Sequence, residues 1–299
     1  MQRTVGGHIR KSRSDRVFDV CNVAFMLVFS FLMIYPLYFT VIASISDPYE
    51  VINGRVYIAP VGLTLEAYQN VFKEDRIWMG YLNTIKYTAF GTLFNLLLTI
   101  PAAYTLSKKH VLGRRAMSMY FLIPMYLQVK ALGLMNTPYT LILLGGVSMY
   151  NLIVTRVFFS TSIPEALYES AKIDGASELR IFWRIVLPLA KPIIAVMALF
   201  YSVSHWNSYF NALIYISRDE YQPLQIVLRN ILLSNQMSLA ILGTDNLEAE
   251  VVQAAARRQY LAQGMKYALI FISSAPLLIA YPFVQKHFVK GVMIGSVKG

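Results

Sequence analysis

Five long stretches without a charged residue constrain this chain more than any other feature of its sequence. A helix that crosses a membrane needs about 20 predominantly apolar residues, and four of the five stretches reach that length. Only 14% of the chain is charged, against about 25% in an average soluble domain. The chain is therefore predicted to be a membrane protein; the stretches are Val20–Ile45, Tyr87–Ser107, Ala131–Thr155, Pro192–Ser217 and Tyr267–Gln285.

A shorter uncharged stretch, Ala116–Val129, adds a sixth candidate span. Lys130 ends it, so the amine of Lys130 must reach a membrane interface if this segment crosses. The apolar stretch after the basic N-terminus is too long for a cleavable signal, and we interpret it as the first span. The predicted fold class is an all-α polytopic membrane protein with six transmembrane helices, of which the second is expected to begin at Asn83-Thr84.

The distribution of Lys and Arg predicts the orientation, because cytoplasmic loops carry an excess of these residues. With the N-terminus inside, the interior segments hold sixteen of the 27 basic residues, and the two larger outer loops hold seven. The net charge of +11 then indicates topology and contact with anionic lipid, and no nucleic-acid partner is expected. The predicted parts are a cytoplasmic N-terminus (1–16), a six-helix domain (17–286) with outer loops at about 46–80 and 215–262, and a cytoplasmic tail (287–299).

The sequence lacks the motifs that ATP binding, metal binding or catalysis would require. No GxxxxGK[ST] motif occurs, so the chain has no usual site for ATP phosphates. The single cysteine, Cys21, and four scattered histidines share no metal-ligand spacing, and we expect neither a metal nor a cofactor on this chain. The predicted spans also hold no paired carboxylates or nucleophile with a nearby base, so an enzyme is not expected.

One interior segment, residues 160–192, is unusually polar for its neighbourhood. Ser162 and Glu165 have the spacing of a capping box, which predicts a helix start at this point. Asp174-Gly175 predicts the end of that helix, and a second helix is expected to run to Pro188. Its apolar face is predicted to hold Ile181, Phe182, Ile185 and Val186 or Leu187. Such a helix pair either connects two spans along the membrane surface or docks another protein.

Polar residues recur within two predicted spans. Ser204, Asn207, Ser208 and Asn211 follow helical spacing in the fifth span, accompanied by the rings of Trp206 and Tyr209. In the fourth span, Ser148, Asn151 and Thr155 form a second polar stripe, with Tyr150 beside it. Aromatic rings stack on sugars and amides bond hydroxyls, which favours a path for a polar substrate. The alternative is that these groups bond neighbouring helices to one another.

The interior segment resembles the EAA loop of ABC importer permeases. The matching residues are Glu169-Ser170-Ala171, Asp174-Gly175-Ala176, Ile185 and Leu187-Pro188, with Ser170 standing where alanine is commoner. The stretches HWNSYFNALIY, PLQIVLR and GVMIGSVKG are similar to those of the carbohydrate-uptake branch. This branch includes the smaller maltose-transporter permease, and the chain looks nearest to permeases for complex or acidic oligosaccharides such as alginate or pectin fragments.

The resemblance implies a type I, maltose-transporter-like permease with a cytoplasmic coupling loop at residues 160–190. It implies import of an oligosaccharide by alternating access across a bacterial inner membrane, with both termini cytoplasmic. The implied partners are a second homologous permease subunit forming a heterodimer, two ATPase subunits that bind ATP and Mg, an extracytoplasmic solute-binding protein and membrane lipid. The implied coupling residues are Glu165, Glu169, Ser170, Ala171, Asp174, Gly175, Ala176, Ile185, Leu187 and Pro188.

The alternative to this function is a secondary sugar transporter coupled to an ion gradient. Such a transporter needs Asp or Glu near the middle of the membrane. Asp19 lies at the inner end of the first predicted span, and the remaining acids fall in predicted loops. We therefore favour the importer subunit, whose expected substrate path comprises Tyr150, Asn151, Ser204, Trp206, Asn207, Ser208, Tyr209 and Asn211.

Overall fold

A computed structural model describes residues 13–108, 129–241, 264–280 and 282. These residues form helices and connecting loops, with no strand in the described ranges, which confirms the all-α prediction there. In chain order the helices are α1 (Arg13–Ser44), α2 (Pro48–Ile52), α3 (Glu66–Phe72), α4 (Asp75–Ser107), α5 (Pro138–Leu143), α6 (Met149–Ser162), α7 (Glu165–Ile173), α8 (Glu178–Leu189), α9 (Lys191–Trp206), α10 (Tyr209–Tyr215), α11 (Leu224–Ile241) and α12 (Gly264–Ala280).

The chain divides into two compact units. One comprises Met1–Asn70 and Leu247–Phe271, and the other comprises Val71–Asn246 and Ile272–Gly299. In the first unit, α1 exposes its apolar side chains over most of its length. The start of α12 lies against α2 in this unit, because a side chain at Gly264 would come within 2.7 Å of Pro48.

Two described helices, α1 and α4, are long and apolar enough to cross a membrane. A third crossing is counted if α8 and α9, whose axes meet at 76°, form one bent span. The predicted third span falls largely in residues 109–128, outside the described ranges, as do residues 287–299 of the predicted tail. Six spans therefore remain a prediction for this chain.

In the second unit, α4 is the central helix, and it begins at Asp75. The sequence suggested a start at Asn83-Thr84, which is wrong because these polar residues lie buried inside the helix. The side-chain amide of Asn83 donates to the carbonyls of Glu220 (2.8 Å) and Gln222 (3.2 Å). The hydroxyl of Thr84 accepts from the backbone N–H of Leu224 (2.8 Å). Both residues hold the start of α11 rather than capping α4.

The core of this unit joins α4, α6 and α9 to the interior segment. Met197 of α9 is fully buried, as are Ile181 and Val186 of α8. Because these side chains belong to one cluster with the C-terminal half of α4, the helix pair α7–α8 packs on the same core as the long helices. The cluster includes Ile100, Ala103, Tyr104, Leu152, Phe159, Ala171, Ile181, Phe182, Val186, Ile193, Met197 and Tyr201.

Candidate functional site

A cavity of about 610 Å³ lies between α4, the α5–α6 region and the α9–α10 region. Both of the latter regions are interrupted helices, and the cavity is lined at both interruptions. Its polar lining comes from hydroxyl, amide, phenol and imidazole groups. Those residues are Asn95, Ser148, Tyr150, Asn151, Tyr201, Ser204, His205, Ser208 and Asn211.

The first interruption separates α5 from α6. Gly145 lies here at φ +68°, a conformation that glycine adopts without steric cost. Its carbonyl accepts from the side-chain amide of Asn95 (2.9 Å). Ser148 then starts α6, its hydroxyl accepting from the backbone N–H of Asn151 (3.5 Å). The fourth predicted span is thus broken at the cavity.

The second interruption separates α9 from α10. Helix α9 ends at Trp206, and Ser208 precedes α10 without capping it through its side chain. The amide of Asn207 donates back to the carbonyl of Val203 (3.0 Å). The predicted stripe across residues 204–211 assumed one continuous helix, which the break at Asn207 contradicts.

Two buried hydrogen-bond relays connect α4 to these interruptions. Nε2 of His205 donates to Oδ1 of Asn95 (2.6 Å), whose amide holds Gly145. The hydroxyl of Tyr201 shares a hydrogen bond with that of Thr99 (2.7 Å) and accepts from the backbone N–H of Ser148 (3.2 Å). Both interruptions are therefore fixed to α4 by polar side chains.

Five of the eight residues predicted for the substrate path line the cavity: Tyr150, Asn151, Ser204, Ser208 and Asn211. Trp206, Asn207 and Tyr209 do not belong to its lining. Trp206 is buried, and its indole N–H donates to the carbonyl of Ser273 (3.1 Å). Its ring is thereby used in packing, where the sequence had suggested stacking on a sugar.

Sequence reasoning did not name Asn95, Tyr201 or His205 for the substrate path, and all three line the cavity. The signal for Asn95 was present, since an amide inside an uncharged stretch is costly in a membrane without a partner. Gly91, a glycine inside the same uncharged stretch, was a second signal. In the structure a side chain at this position would overlap the ring of His205. The pairing of Asn95 with His205 could not be read from the sequence, because it depends on how α4 packs against α9.

The turn between α7 and α8 has the geometry that the sequence predicted. Gly175 lies at φ +73°, its N–H donates to Lys172 (3.0 Å), and the N–H of Ala176 donates to Ala171 (2.9 Å). These two bonds form a Schellman motif, in which a left-handed glycine satisfies the last carbonyls of a helix. The prediction of a glycine-ended helix is confirmed.

The predicted capping box is wrong. Ser162 is the last residue of α6, so its backbone is helical and lacks the extended conformation of an N-cap. Pro164 occupies the N-cap position of α7, without a side-chain hydrogen bond. The second helix also continues past Pro188 to Leu189. A π turn at Phe182–Val186 precedes this proline, which has no N–H for the regular helical bond.

The implied coupling residues divide into an exposed set and a covered set. The covered residues pack on the core: Ala171 is buried, and Ala176, Ile185 and Leu187 are half-buried. The exposed residues lie on α7, its turn and the end of α8: Glu165, Glu169, Ser170, Asp174, Gly175 and Pro188. Ile173, which sequence reasoning did not select, is 86% exposed beside them. The exposed set and Ile173 are the accessible part of the α7–α8 pair.

Lys108, directly after α4, connects that helix to both short helices. Its Nζ pairs with the carboxylate of Glu178 in α8. It also lies 4.7 Å from the ring centre of Tyr104 and 5.1 Å from that of Tyr168 in α7. Glu178 additionally pairs with Lys172 (3.2 Å). These contacts connect the α7–α8 pair to the C-terminal end of α4.

The electrostatics of this cluster follow from its contacts. The hydrogen bond from Lys108 lowers the pKa of the Glu178 carboxyl, assisted by Lys172 and opposed by partial burial. Burial raises the pKa of the Tyr168 phenol to about 12, assisted by Tyr104 and Glu178. At neutral pH the cluster therefore contains a carboxylate and a neutral phenol.

Comparison with known proteins agrees with this architecture. The chain is 40% identical to Protein LplC of Bacillus subtilis, over 97% of this chain and 98% of that protein. It is 35% identical to the polygalacturonan/rhamnogalacturonan transport system permease protein YtcP of the same organism, over 95% and 99%. A crystal structure of a bacterial ABC transporter involved in the import of the acidic polysaccharide alginate contains a chain with 33% identity. That chain matches with a TM-score of 0.80, covering 94% of this chain and 99% of its own length.

The family described as "Binding-protein-dependent transport system inner membrane component" matches residues 77–294. That range contains both interrupted helices, the α7–α8 pair and Lys108. The resemblance to ABC importer permeases is thereby confirmed, and the chain belongs to the family of inner membrane components of binding-protein-dependent transport systems.

Proposed function

We propose that this chain forms one half of the translocation path of an oligosaccharide importer. The observation that carries the proposal is the cavity at the two interrupted helices. Hydroxyl and amide groups there, from Asn151, Ser204 and Asn211, suit the hydroxyls of a sugar. Tyr150, 67% exposed beside them, offers a ring for stacking against an apolar sugar face. A volume of about 610 Å³ is that of a small-molecule site.

The second element of the proposal is coupling through the α7–α8 pair. The exposed residues Glu165, Glu169 and Asp174 would meet an ATPase subunit, with Ile173 as an apolar contact at the tip. The covered residues would pass the movement to the core they pack on. ATP and Mg would be held by that partner, since this sequence has no P-loop.

The remaining parts follow the assembly of a binding-protein-dependent system. We propose a heterodimer with a second homologous permease, two ATPase subunits and an extracytoplasmic solute-binding protein. The chain would lie in a bacterial inner membrane as six spans, with both termini and the coupling loop on the cytoplasmic side. The outer loops at about 46–80 and 215–262 would face the binding protein.

The substrate class proposed is an acidic oligosaccharide. Two of the similar proteins are named for substrates or systems of this kind, a polygalacturonan/rhamnogalacturonan permease and an alginate importer. Both cover nearly the whole of this chain. An ion-gradient-coupled secondary transporter is not favoured, since the family works with a binding protein.

The test is sugar-stimulated ATPase activity and uptake by the complete transporter in proteoliposomes. The panel should contain neutral oligosaccharides and oligogalacturonates of equal length. The proposal expects uptake that requires ATP and binding protein and is fastest for the uronates. Uptake that follows an imposed proton or sodium gradient without ATP would contradict it.

A further inference from the structure

The start of α6 opens into the cavity. The residues that immediately precede and begin this 14-residue helix belong to the cavity lining: Gly145, Val147, Ser148, Tyr150 and Asn151. The first N–H groups of a helix have no partner within the helix, and its N-terminus carries about half a positive charge. Together these properties attract an anion.

A second and independent observation lies on the opposite interruption. Ser208 is 7% exposed and lines the same cavity. Its hydroxyl has no hydrogen-bond partner among the residues that the structure describes. Buried polar atoms are nearly always satisfied, so an orphan hydroxyl beside a cavity indicates a missing acceptor or donor.

No lysine or arginine belongs to the described lining of this cavity. The histidine present, His205, donates its Nε2 proton to Asn95. A negative group entering this half of the cavity would therefore find hydrogen-bond donors and a helix dipole in place of a lysine or arginine. Broken membrane helices bind anionic groups in this way, with the N-terminus of the second half aimed at the substrate.

We propose that the start of α6 and the hydroxyl of Ser208 form a subsite for a carboxylate of the transported sugar. The ligand class is a uronate residue within an oligosaccharide. Of the first N–H groups of α6, that of Asn151 already bonds the Ser148 hydroxyl. The N–H groups of Met149 and Tyr150, together with the Ser208 hydroxyl, would therefore donate to the carboxylate oxygens. A site without a cation holds the charge weakly, so the sugar can leave again, which transport requires. The inference deepens the proposed function and rests on it.

The experiment compares one sugar in two charge states. Trigalacturonate carries carboxylates, while its fully methyl-esterified form keeps the backbone and is neutral. Uptake of each is measured in proteoliposomes that contain the complete transporter. The binding protein stays unchanged throughout, so a change in the uronate-to-ester ratio of kcat/KM between variants arises in the permease.

The informative variant is Met149→Glu, which places a carboxylate in the first turn of α6, where it competes with the ligand. Met149→Gln has the same length without the charge, and the Met149 side chain is not part of the lining. We expect Met149→Glu to lower the ratio about tenfold and Met149→Gln to leave it near the wild-type value. Ser208→Ala should lower the ratio several-fold, with the ester still transported as evidence of a folded protein.

Equal losses for uronate and ester in Met149→Glu and Ser208→Ala would overturn the subsite and leave the proposed function intact. Wild-type uptake of the ester without the uronate would also overturn it. If the wild-type transporter takes up neither sugar in an ATP-dependent way, the proposed oligosaccharide function fails, and the subsite fails with it.

Discussion

Replacement of Gly175 separates backbone geometry from side-chain contact in the turn between α7 and α8. Among the residues that the structure describes, nothing lies within 4 Å of a Cβ added at this position, so the Cβ itself meets no steric obstacle there. The cost of replacement must come from φ, which is +73°. Asn and Ala at this position therefore test the backbone strain, and Pro additionally removes the N–H that donates to Lys172.

The expected magnitudes follow from the turn. Asn tolerates the left-handed region and should cost little, while Ala in that region costs roughly 1–2 kcal/mol. Pro fixes φ near −65° and removes the N–H that donates to Lys172, so the turn cannot form as it stands. The loss with Pro should be about 3 kcal/mol or more. Because 1.4 kcal/mol is a factor of ten, Ala should reduce the ratio of formed to deformed turns about 5- to 30-fold.

The assay is sugar-stimulated ATPase activity of the complete transporter, together with the amount of ATPase subunit that co-purifies. We expect activity in the order Gly, Asn, Ala, Pro, with the cavity unaffected because Gly175 is not part of its lining. An Asn variant as inactive as the Pro variant would refute the backbone explanation. Wild-type activity of the Pro variant would refute the role of the turn itself.

Three further predictions concern stability, measured as the thermal unfolding midpoint in detergent. Gly91→Ala should destabilise by about 1–3 kcal/mol because the methyl overlaps the ring of His205; adding His205→Ala should recover part of this loss, and a double variant no more stable than Gly91→Ala would contradict the overlap. Asn83→Leu should cost about 1–3 kcal/mol by leaving two carbonyls without their donor, and an unchanged midpoint would contradict that. Glu178→Gln should cost under about 1 kcal/mol, because the pair with Lys108 is partly exposed. Lys108 lowers the pKa of the Glu178 carboxyl. The stabilisation from the ion pair is therefore present above the carboxyl's ordinary pKa and is lost as the pH falls through the lowered pKa. A difference in unfolding midpoint between wild type and Glu178→Gln that persists below the lowered pKa would contradict the pairing.

The sequence predicted correctly those features that depend only on residues close together in the chain. Gly175 ends α7 as expected because a left-handed glycine after a helical run needs only its own turn. The apolar face of α8 was also predicted correctly, since Ile181, Phe182 and Val186 follow helical spacing and are buried. Both patterns are local and compete with no distant partner.

The errors occurred where distant partners decide the structure. Asn83 looked like a helix start, but its amide bonds carbonyls more than 130 residues away. Ser162 looked like a cap, but α6 continues through it. Trp206 was named for the substrate path, and the structure places it outside the cavity lining with its indole N–H on the carbonyl of Ser273. Sequence spacing identifies polar groups that need partners without identifying the partners.

The cavity was predicted only in part. Its presence in the fourth and fifth predicted spans was expected from their polar residues, and five of the eight residues named for it line it. The contribution of α4 through Asn95 was not predicted, because it depends on how α4 packs against α9. The helix interruptions were also missed, and they determine which polar groups reach the cavity.

The bend between α8 and α9 has a mechanical consequence. The axes of these helices meet at 76°, and the fully buried Val186, Ala190 and Met197 lie along both sides of the bend. Because the bend is packed on both sides, α8 and α9 are expected to move as one rigid body. A displacement of α8 along its own axis then becomes a sideways displacement of α9. A partner that pulls α7 and α8 along the membrane surface would thus tilt α9, and Ser204 and His205 at its far end would sweep across the cavity.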